Sequence, residues 1–394
     1  MDPVRNPYAP GAGQRPPELA GRDEQLRAFD VVLERVARHR PERSLVLTGL
    51  RGVGKTVLLN TMRGQAVRKG WGTGKLEARP EQSLRRPLAG ALHQAVRELG
   101  HQDADHVLGV VRSFAERQAG PDARLRDRWS PGIDVPAVRG RADSGDVEID
   151  LVELMNDVGG LAADLGKGVA VFVDEMQDLG PDDVSALCAA CHEVSQSGLP
   201  VIVVGAGLPH LPAVLSASKS YSERLFSYQR IDRLTREEAD RALTAPAAEE
   251  DAAYDDDALA AMYAATGGYP YFIQAYGKTV WDHAPRSPIT AGDVGVAAPE
   301  AERELAVGFF GSRYERATPG ERDYLRAMAD AAGPDADAVG SVGTAEVADV
   351  LGKKPQSLSP ARDSLLKKGL IYSGERGRIA FTVPHFGRYL RQHA

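Results

Sequence analysis

With 394 residues the chain has enough length for two or three domains and ample core. Hydrophobic residues make up 43% and charged residues 26%, the balance of a globular protein rather than a disordered or membrane-embedded one. The formal charge of -7 excludes a general affinity for polyanions, so any nucleic-acid surface must be local. No apolar run approaches the roughly 18 residues of a membrane span.

Residues 1–20 are polar and rich in Pro and Gly, including Asn6-Pro7-Tyr8 and the Pro16-Pro17 pair. They read as an extended arm without the basic and apolar regions of a signal peptide, which points to the cytoplasm. Gly21-Arg22-Asp23-Glu24 opens a helix whose first turn is acidic, as its positive end favours. Leu26, Phe29, Val32, Leu33 and Val36 follow helical spacing.

Gly49-Leu50-Arg51-Gly52-Val53-Gly54-Lys55-Thr56 fits G-x-x-x-x-G-K-[ST], and Val57 follows it. The apolar run Leu45-Val46-Leu47 precedes it as a strand, and a helix follows up to Gly70. Glycines in that setting turn backbone N–H groups toward phosphates, and the helix N-terminus adds positive potential. Lys55 can reach the β- and γ-phosphates of ATP, or the β-phosphate of ADP, and Thr56 can ligate Mg²⁺.

A strand at 75–78 and helices at 82–99 and 103–117 come next. Residues 120–144, dense in Pro, Gly, Asp and Arg, read as a loop or inserted hairpin. A helix at 149–166 leads into Val169-Ala170-Val171-Phe172-Val173-Asp174-Glu175, an apolar strand ending in two acids. Asp174 suits a Mg²⁺ site, and Glu175 can orient and deprotonate an attacking water. Cys188 and Cys191 match C-x-x-C-H. They also lie on the apolar face of a helix with Val184, Leu187 and Val194, which argues for buried packing rather than haem or redox chemistry.

A strand at 201–204 ends in Gly205-Ala206-Gly207. A helix at 211–225 and a strand at 226–231 complete about five α/β units, the pattern of a doubly wound parallel sheet. From Thr235 the pattern is helical (236–247, 256–266 and 271–281), interrupted by Gly267-Gly268-Tyr269-Pro270. Near Thr318 a third region begins, with helices at 321–331 and 344–351. A third helix there has Ser359 as N-cap and Pro360 at its first position. Strands at 370–373 and 379–383 flank Gly374-Glu375-Arg376-Gly377. Three helices and a hairpin form the winged-helix plan. From Gly352 to Arg391 nine lysines and arginines stand against two acids. Lys353, Lys354, Arg362, Lys367 and Lys368 lie on or beside the recognition helix of that plan, and Arg376 and Arg378 on its wing. This charge suits phosphate contacts on double-stranded DNA, with a basic face on a protein-docking module as the alternative.

Taken in this order, the motifs resemble the AAA+ ATPases, particularly the origin-recognition-like and STAND branches. The chain also resembles an uncharacterised actinobacterial ATP-binding family. The resemblance implies an α/β P-loop base over 21–234, a helical lid over 235–317 and a winged-helix domain over 318–394. It implies that Gly21 and Arg22 border the adenine and that Asp174-Glu175-Met176-Gln177 is the Walker B motif, which includes Gln177. It implies that Pro270 of Gly268-Tyr269-Pro270 lies near the nucleotide. It makes Arg224, in Ser222-Glu223-Arg224, the arginine-finger position, acting in trans in an oligomer. Two departures stand out. Gly205-Ala206-Gly207 occupies the place of a polar sensor, and the lid shows no sensor arginine. Both favour slow turnover and a nucleotide switch.

Overall fold

The computed structural model describes residues 1–100, 104–116, 135–219, 221–333 and 341–393. Helix α1 (Asp23–Ala37) precedes an alternating series. In order, the series comprises β1 (Ser44–Thr48), α2 (Lys55–Arg68), β2 (Gly72–Glu77), α3 (Arg85–Leu99), α4 (Ala104–Glu116), α5 (Val147–Asp164) and β3 (Val169–Asp174). It continues with α6 (Pro181–Gln196), β4 (Val201–Gly207), α7 (Leu211–Ser218), α8 (Ser222–Leu225) and β5 (Phe226–Arg230). The five strands form one parallel sheet in the order β2-β3-β4-β1-β5.

The continuous apolar runs of β1, β3 and β4 are explained by burial on both faces. Alternate residues of each strand enter opposite cores. Leu45, Leu47, Phe172, Ile202 and Val204 pack with residues of α1 and α2. Val46, Val171, Val173, Val201 and Val203 pack with α3, α5 and α6. Cys188 and Cys191 are buried in this second core, where desolvation pushes their thiols up to about 11 and about 12. They are inert packing groups at neutral pH.

Several sequence-based boundaries shift, for local reasons. Strand β2 begins at Gly72, earlier than expected, because two glycines hide its apolar pattern. A Cβ on Gly72 or Gly74 would lie 2.4 or 2.2 Å from a backbone carbonyl of α3, so the helix packs directly on the strand. Helix α3 starts at Arg85, not at 82. The expected helix over 211–225 is two helices, α7 and α8, because Lys219 is extended and its ammonium pairs with Glu148 at 2.9 Å. The expected hairpin or loop at 120–144 lies outside the described residues up to 134. Residues 135–144 contain turns but no strand.

Beyond β5 run α9 (Arg236–Glu249), α10 (Asp256–Thr266), α11 (Pro270–His283) and α12 (Ala291–Leu305). The series ends in a π-helical segment, Ala306–Gly311, and a single turn, α13 (Ser312–Tyr314). The sequence reading passes over α12, whose Ala- and Gly-rich run carries little periodic contrast. The N-terminal arm is strapped to these helices. Asn6 donates to the Lys278 carbonyl at 2.9 Å and to Asp282 at 2.8 Å. The Tyr8 hydroxyl donates to the Leu243 carbonyl at 2.6 Å.

The C-terminal segment contains α14 (Pro319–Ala332), β6 (Val342–Gly343), α15 (Thr344–Val350), α16 (Ser359–Lys367), β7 (Ile371–Tyr372), β8 (Arg378–Phe381) and α17 (Phe386–His393). Its antiparallel sheet runs β6-β8-β7, one strand more than the expected hairpin. Ser359 is not an N-cap. A 3-10 turn, Pro355–Leu358, feeds the helix, which puts Leu358 at the cap and Ser359 inside the first turn. Helix α17, also missed, is a short closing element that buries Phe386 and Leu390. Among the described residues no helix is long and apolar enough to cross a membrane.

Candidate nucleotide site

The P-loop joins β1 to α2 at the C-terminal edge of the sheet, where open α/β sheets bind ligands. Gly52 and Gly54 have φ of 84° and 90°, a left-handed backbone that side chains resist. This conformation lets the loop wrap its N–H groups around an anion ahead of the α2 N-terminus. The buried Lys55 ammonium donates to the Gly49 carbonyl at 2.9 Å and to the Leu50 carbonyl at 2.8 Å. Burial lowers its pKa to about 8.

The end of β3 faces the start of α2. Thr56 Oγ1 donates to Asp174 Oδ2 at 2.7 Å, and the Asp174 carboxylate is buried. A hydroxyl and a carboxylate converging beside the P-loop are hard oxygen donors of the kind Mg²⁺ takes alongside substrate phosphates. Among the described residues no cluster of three or more His, Cys, Asp and Glu side chains offers an independent metal cage. Glu175 sits in left-handed backbone, φ 51°. Its Oε1 is 3.2 Å from Arg51 Nη1, and its Oε2 accepts from Gln177 Nε2 at 2.6 Å. Gln177 Oε1 in turn accepts the Leu208 N–H at 3.0 Å. The glycines of β4 make room for this bridge. A Cβ on Gly207 would lie 2.7 Å from Gln177 Oε1, and one on Gly205 would lie 1.9 Å from the Met176 sulfur. Where the sequence offers no polar side chain on β4, Gln177 brings one to its end from the preceding turn.

A cavity of about 550 Å³ lies over these groups, within the range of nucleotide-sized pockets. Its walls come from every part of the chain. Gly11–Gln14 of the arm, Gly52–Val57, Glu175, Pro270, Tyr271 and Gln274 all line it, as do Phe309, Arg313 and Arg316 and, from the C-terminal segment, Gly369 and Leu370. Arg22 lines it while donating to the Val53 carbonyl at 3.1 Å and the Asp232 carbonyl at 2.7 Å, so its buried guanidinium ties the P-loop to the strand end. Gly21 precedes it in left-handed backbone, against Glu238. Pro270 is the first residue of α11, and the Tyr271 N–H donates to the Gly52 carbonyl at 3.2 Å.

Other sequence-derived candidates lie away from the cavity. Arg224 is exposed at the end of α8 and does not line it. Lys353, Lys354 and Arg376 are exposed on the C-terminal segment. Arg362 is half-buried and paired with Asp363 at 3.1 Å. Arg378 donates from Nε to Ser341 Oγ at 2.8 Å, and Lys368 is paired with Glu321 at 2.6 Å, so neither is a free surface cation. Sequence reasoning missed Arg313 and Arg316. They lie far from any motif, and only the packing of the π-helical segment brings them to the cavity.

A parallel sheet in the order β2-β3-β4-β1-β5, a P-loop after β1 and an Asp-Glu pair after β3 give the chain the AAA+ fold of P-loop ATPases. Residues 18–204 match the family model of the AAA ATPase domain, and residues 307–390 match a domain of unknown function, DUF8462. The fold is similar to that of a Walker-type ATPase of Pyrococcus abyssi, with 18% identity, 96% of this chain and 97% of that chain covered, and a TM-score of 0.60. Cdc6p from Pyrobaculum aerophilum aligns at 15% identity over 100% of this chain and 97% of its own, with a TM-score of 0.46. The RuvB Holliday junction branch migration motor of Thermotoga maritima aligns at 17% identity over 94% and 96%, with a TM-score of 0.44. No curated protein matches the chain by sequence.

Proposed function

We propose that this ATPase is Mg²⁺-dependent and of STAND type, and that its nucleotide state governs what its C-terminal segment, read as a winged helix, can engage. The observation that carries this reading is a direct junction between the two. The backbone N–H of Arg51, inside the P-loop, donates to the Thr382 carbonyl at 2.9 Å. A Cβ on Gly369 would lie 3.0 Å from Arg51 Nη2. A phosphate-binding loop held this way cannot rearrange without disturbing the C-terminal segment.

In this reading 21–234 is the base, 235–317 the lid and 318–394 the winged helix. Backbone N–H groups of residues 49–56 and the Lys55 ammonium bind the phosphates of ATP or ADP. Thr56 and Asp174 hold Mg²⁺, which when bound offsets charge on the phosphate oxygens. Glu175 takes the proton of the attacking water. Gly21, Arg22, Pro270 and the arm enclose the nucleoside. Arg224, exposed on the rim of the base, suits action in trans in a homo-oligomer. Lys353, Lys354 and Arg376 suit phosphates of double-stranded DNA. The proposed location is the cytoplasm.

A second reading, a slow or non-hydrolysing switch whose winged helix docks a protein, is favoured by one feature. Both oxygens of Glu175 are engaged, one by Arg51 and one by Gln177, which lowers its capacity to take a proton from water.

The test is steady-state phosphate release with Mg²⁺, comparing the native protein with Glu175→Gln, each with and without duplex DNA. Turnover stimulated by DNA and abolished by Glu175→Gln supports the first reading. Tight nucleotide binding without turnover supports the second.

A further inference from the structure

The first nine residues of the arm are seated on the helical segment that follows β5. Tyr8 is 4% exposed, and its ring meets Trp281 edge-on, with centroids 6.2 Å apart. Gly277 of α11 leaves the slot for it, since a Cβ there would lie 2.9 Å from the Tyr8 ring. The Tyr8 hydroxyl, which donates to the Leu243 carbonyl, also accepts from the Tyr254 hydroxyl at 2.9 Å. Trp281 Nε1 donates to the Asp2 carbonyl at 2.9 Å, and Arg5 pairs with Glu250 at 2.8 Å and Asp251 at 3.2 Å. The Ala9 N–H donates to Gln274 Oε1 at 3.2 Å. Ten residues further on, Glu18 pairs with Arg241 of α9. Every one of these partners lies between 241 and 281.

Between these two anchors the arm crosses the cavity. Ala12 and Gln14 line it and are themselves exposed, so at this point the arm alone separates the cavity from solvent. The Gln14 N–H donates to the Gly11 carbonyl at 3.4 Å, which closes a tight turn. Gly13 within it is in left-handed backbone, φ 69°, and a Cβ there would lie 3.1 Å from the Thr56 methyl carbon. The crossing therefore rests on the first turn of α2, where the P-loop ends. From Asp23 the chain enters α1, which packs on the sheet. The helical segment is thus joined to the sheet twice, once by the link from β5 to α9 and once by residues 10–20. The second link runs over the cavity and is held by buried contacts at Tyr8, outside the cavity lining.

We propose that the arm is a strap that gates nucleotide exchange: a nucleotide leaves or enters the cavity only when residues 1–9 peel away from α9 and α11. While Tyr8 stays in its slot, residues 10–17 stay over the cavity and limit how far the helical segment can swing from the sheet. The opening equilibrium of the strap then sets both rates, as local unfolding sets access to any closed site. Whatever takes the Tyr8 slot in place of the arm speeds exchange. This rests on the reading of 49–56 as the nucleotide site and adds to it a regulatory step outside the motif.

The experiment measures entry and release of radiolabelled ADP, with Mg²⁺, on the full chain by filter binding and by chase with unlabelled ADP. Tyr8→Ala empties the slot and is expected to speed release and entry alike by at least about tenfold, with affinity within about threefold of the parent. Tyr8→Phe keeps the ring, loses the hydroxyl and is expected to speed both by about fivefold. The converse variant combines Arg5→Cys with Glu250→Cys, joined by a short bismaleimide. Cys188 and Cys191 are buried and do not compete for the reagent. Joining is expected to slow release at least about tenfold relative to the same variant left unjoined. Release unchanged in Tyr8→Ala or on joining overturns the proposal. So does faster release with entry unchanged, which would make the arm a wall of the site and not its gate. If Tyr8→Ala does not fold, the joined variant decides. Failure of the underlying site reading looks different: the parent protein binds no ADP, or Lys55→Ala binds it as the parent does.

Discussion

Arg51 Nη1 lies 3.2 Å from Glu175 Oε1, while the Arg51 backbone N–H is bonded to Thr382 of the C-terminal segment. One P-loop residue therefore touches both the carboxylate read as the catalytic base and the segment read as the output. An arginine at the second variable position of the P-loop motif is not required for phosphate binding, which the loop backbone and Lys55 provide.

Replacing that arginine frees one oxygen of Glu175. Arg51→Ala is expected to raise basal ATP turnover. The pair is partly exposed, so its strength is on the order of 1 kcal/mol, which corresponds to about fivefold in rate. Phosphate release under saturating ATP measures it. A fall in turnover instead would mean that Arg51 serves the phosphates rather than restraining Glu175.

Lys55 gives a pH signature. Its pKa in the folded, nucleotide-free protein is about 8, below the ordinary 10.5. A lysine with a depressed pKa binds fewer protons folded than unfolded between those values, so stability rises with pH from about 8 to 10.5 and the penalty is fully present below 8. Denaturant melts across this window are expected to show the rise, and Lys55→Met to remove it. Nucleotide affinity has the opposite trend. Phosphates need the ammonium, so affinity is expected to weaken as pH climbs above 8, by up to about tenfold per unit. A flat affinity profile in native protein would separate Lys55 from phosphate binding.

Gly49 tests how tightly the P-loop is seated. A Cβ there would lie 2.2 Å from the Ile231 carbonyl, a backbone atom that cannot swing aside. Gly49→Ala is expected to destabilise the protein by about 2 kcal/mol and to lower nucleotide affinity, because the loop must lift from the strand end. Chemical denaturation and nucleotide titration read the two effects, and a variant as stable as the native protein would show that the loop relaxes freely.

The basic surface makes a salt-dependence prediction. Lys353, Lys354 and Arg376 are exposed, whereas Arg378 and Lys368 are engaged within the protein. If the first three contact duplex phosphates, replacing all three with Ala reduces the slope of log affinity against log salt by about 2.7, at roughly 0.9 per phosphate. An unchanged slope would remove this face from the DNA interface and favour a protein partner.

Local sequence determined the α/β core. The P-loop, the apolar β1, β3 and β4 and the Asp174-Glu175 pair were legible because their patterns are contiguous: a buried parallel strand must be apolar throughout, and a phosphate loop must carry its glycines at fixed spacing. Strand β2 was partly hidden, since its glycines serve a close helix rather than a periodic pattern. Helix α12 and closing helix α17 escaped for want of contrast and of length. Only the tertiary structure decided the composition of the cavity. The arm, Tyr271, the π-helical segment with Arg313 and Arg316, and Gly369 of the C-terminal segment converge from positions up to about 360 residues apart in sequence. The same holds for the Arg51–Glu175–Gln177 arrangement. Contacts between distant segments depend on how helices pack on the sheet and on one another, and no local periodicity records that.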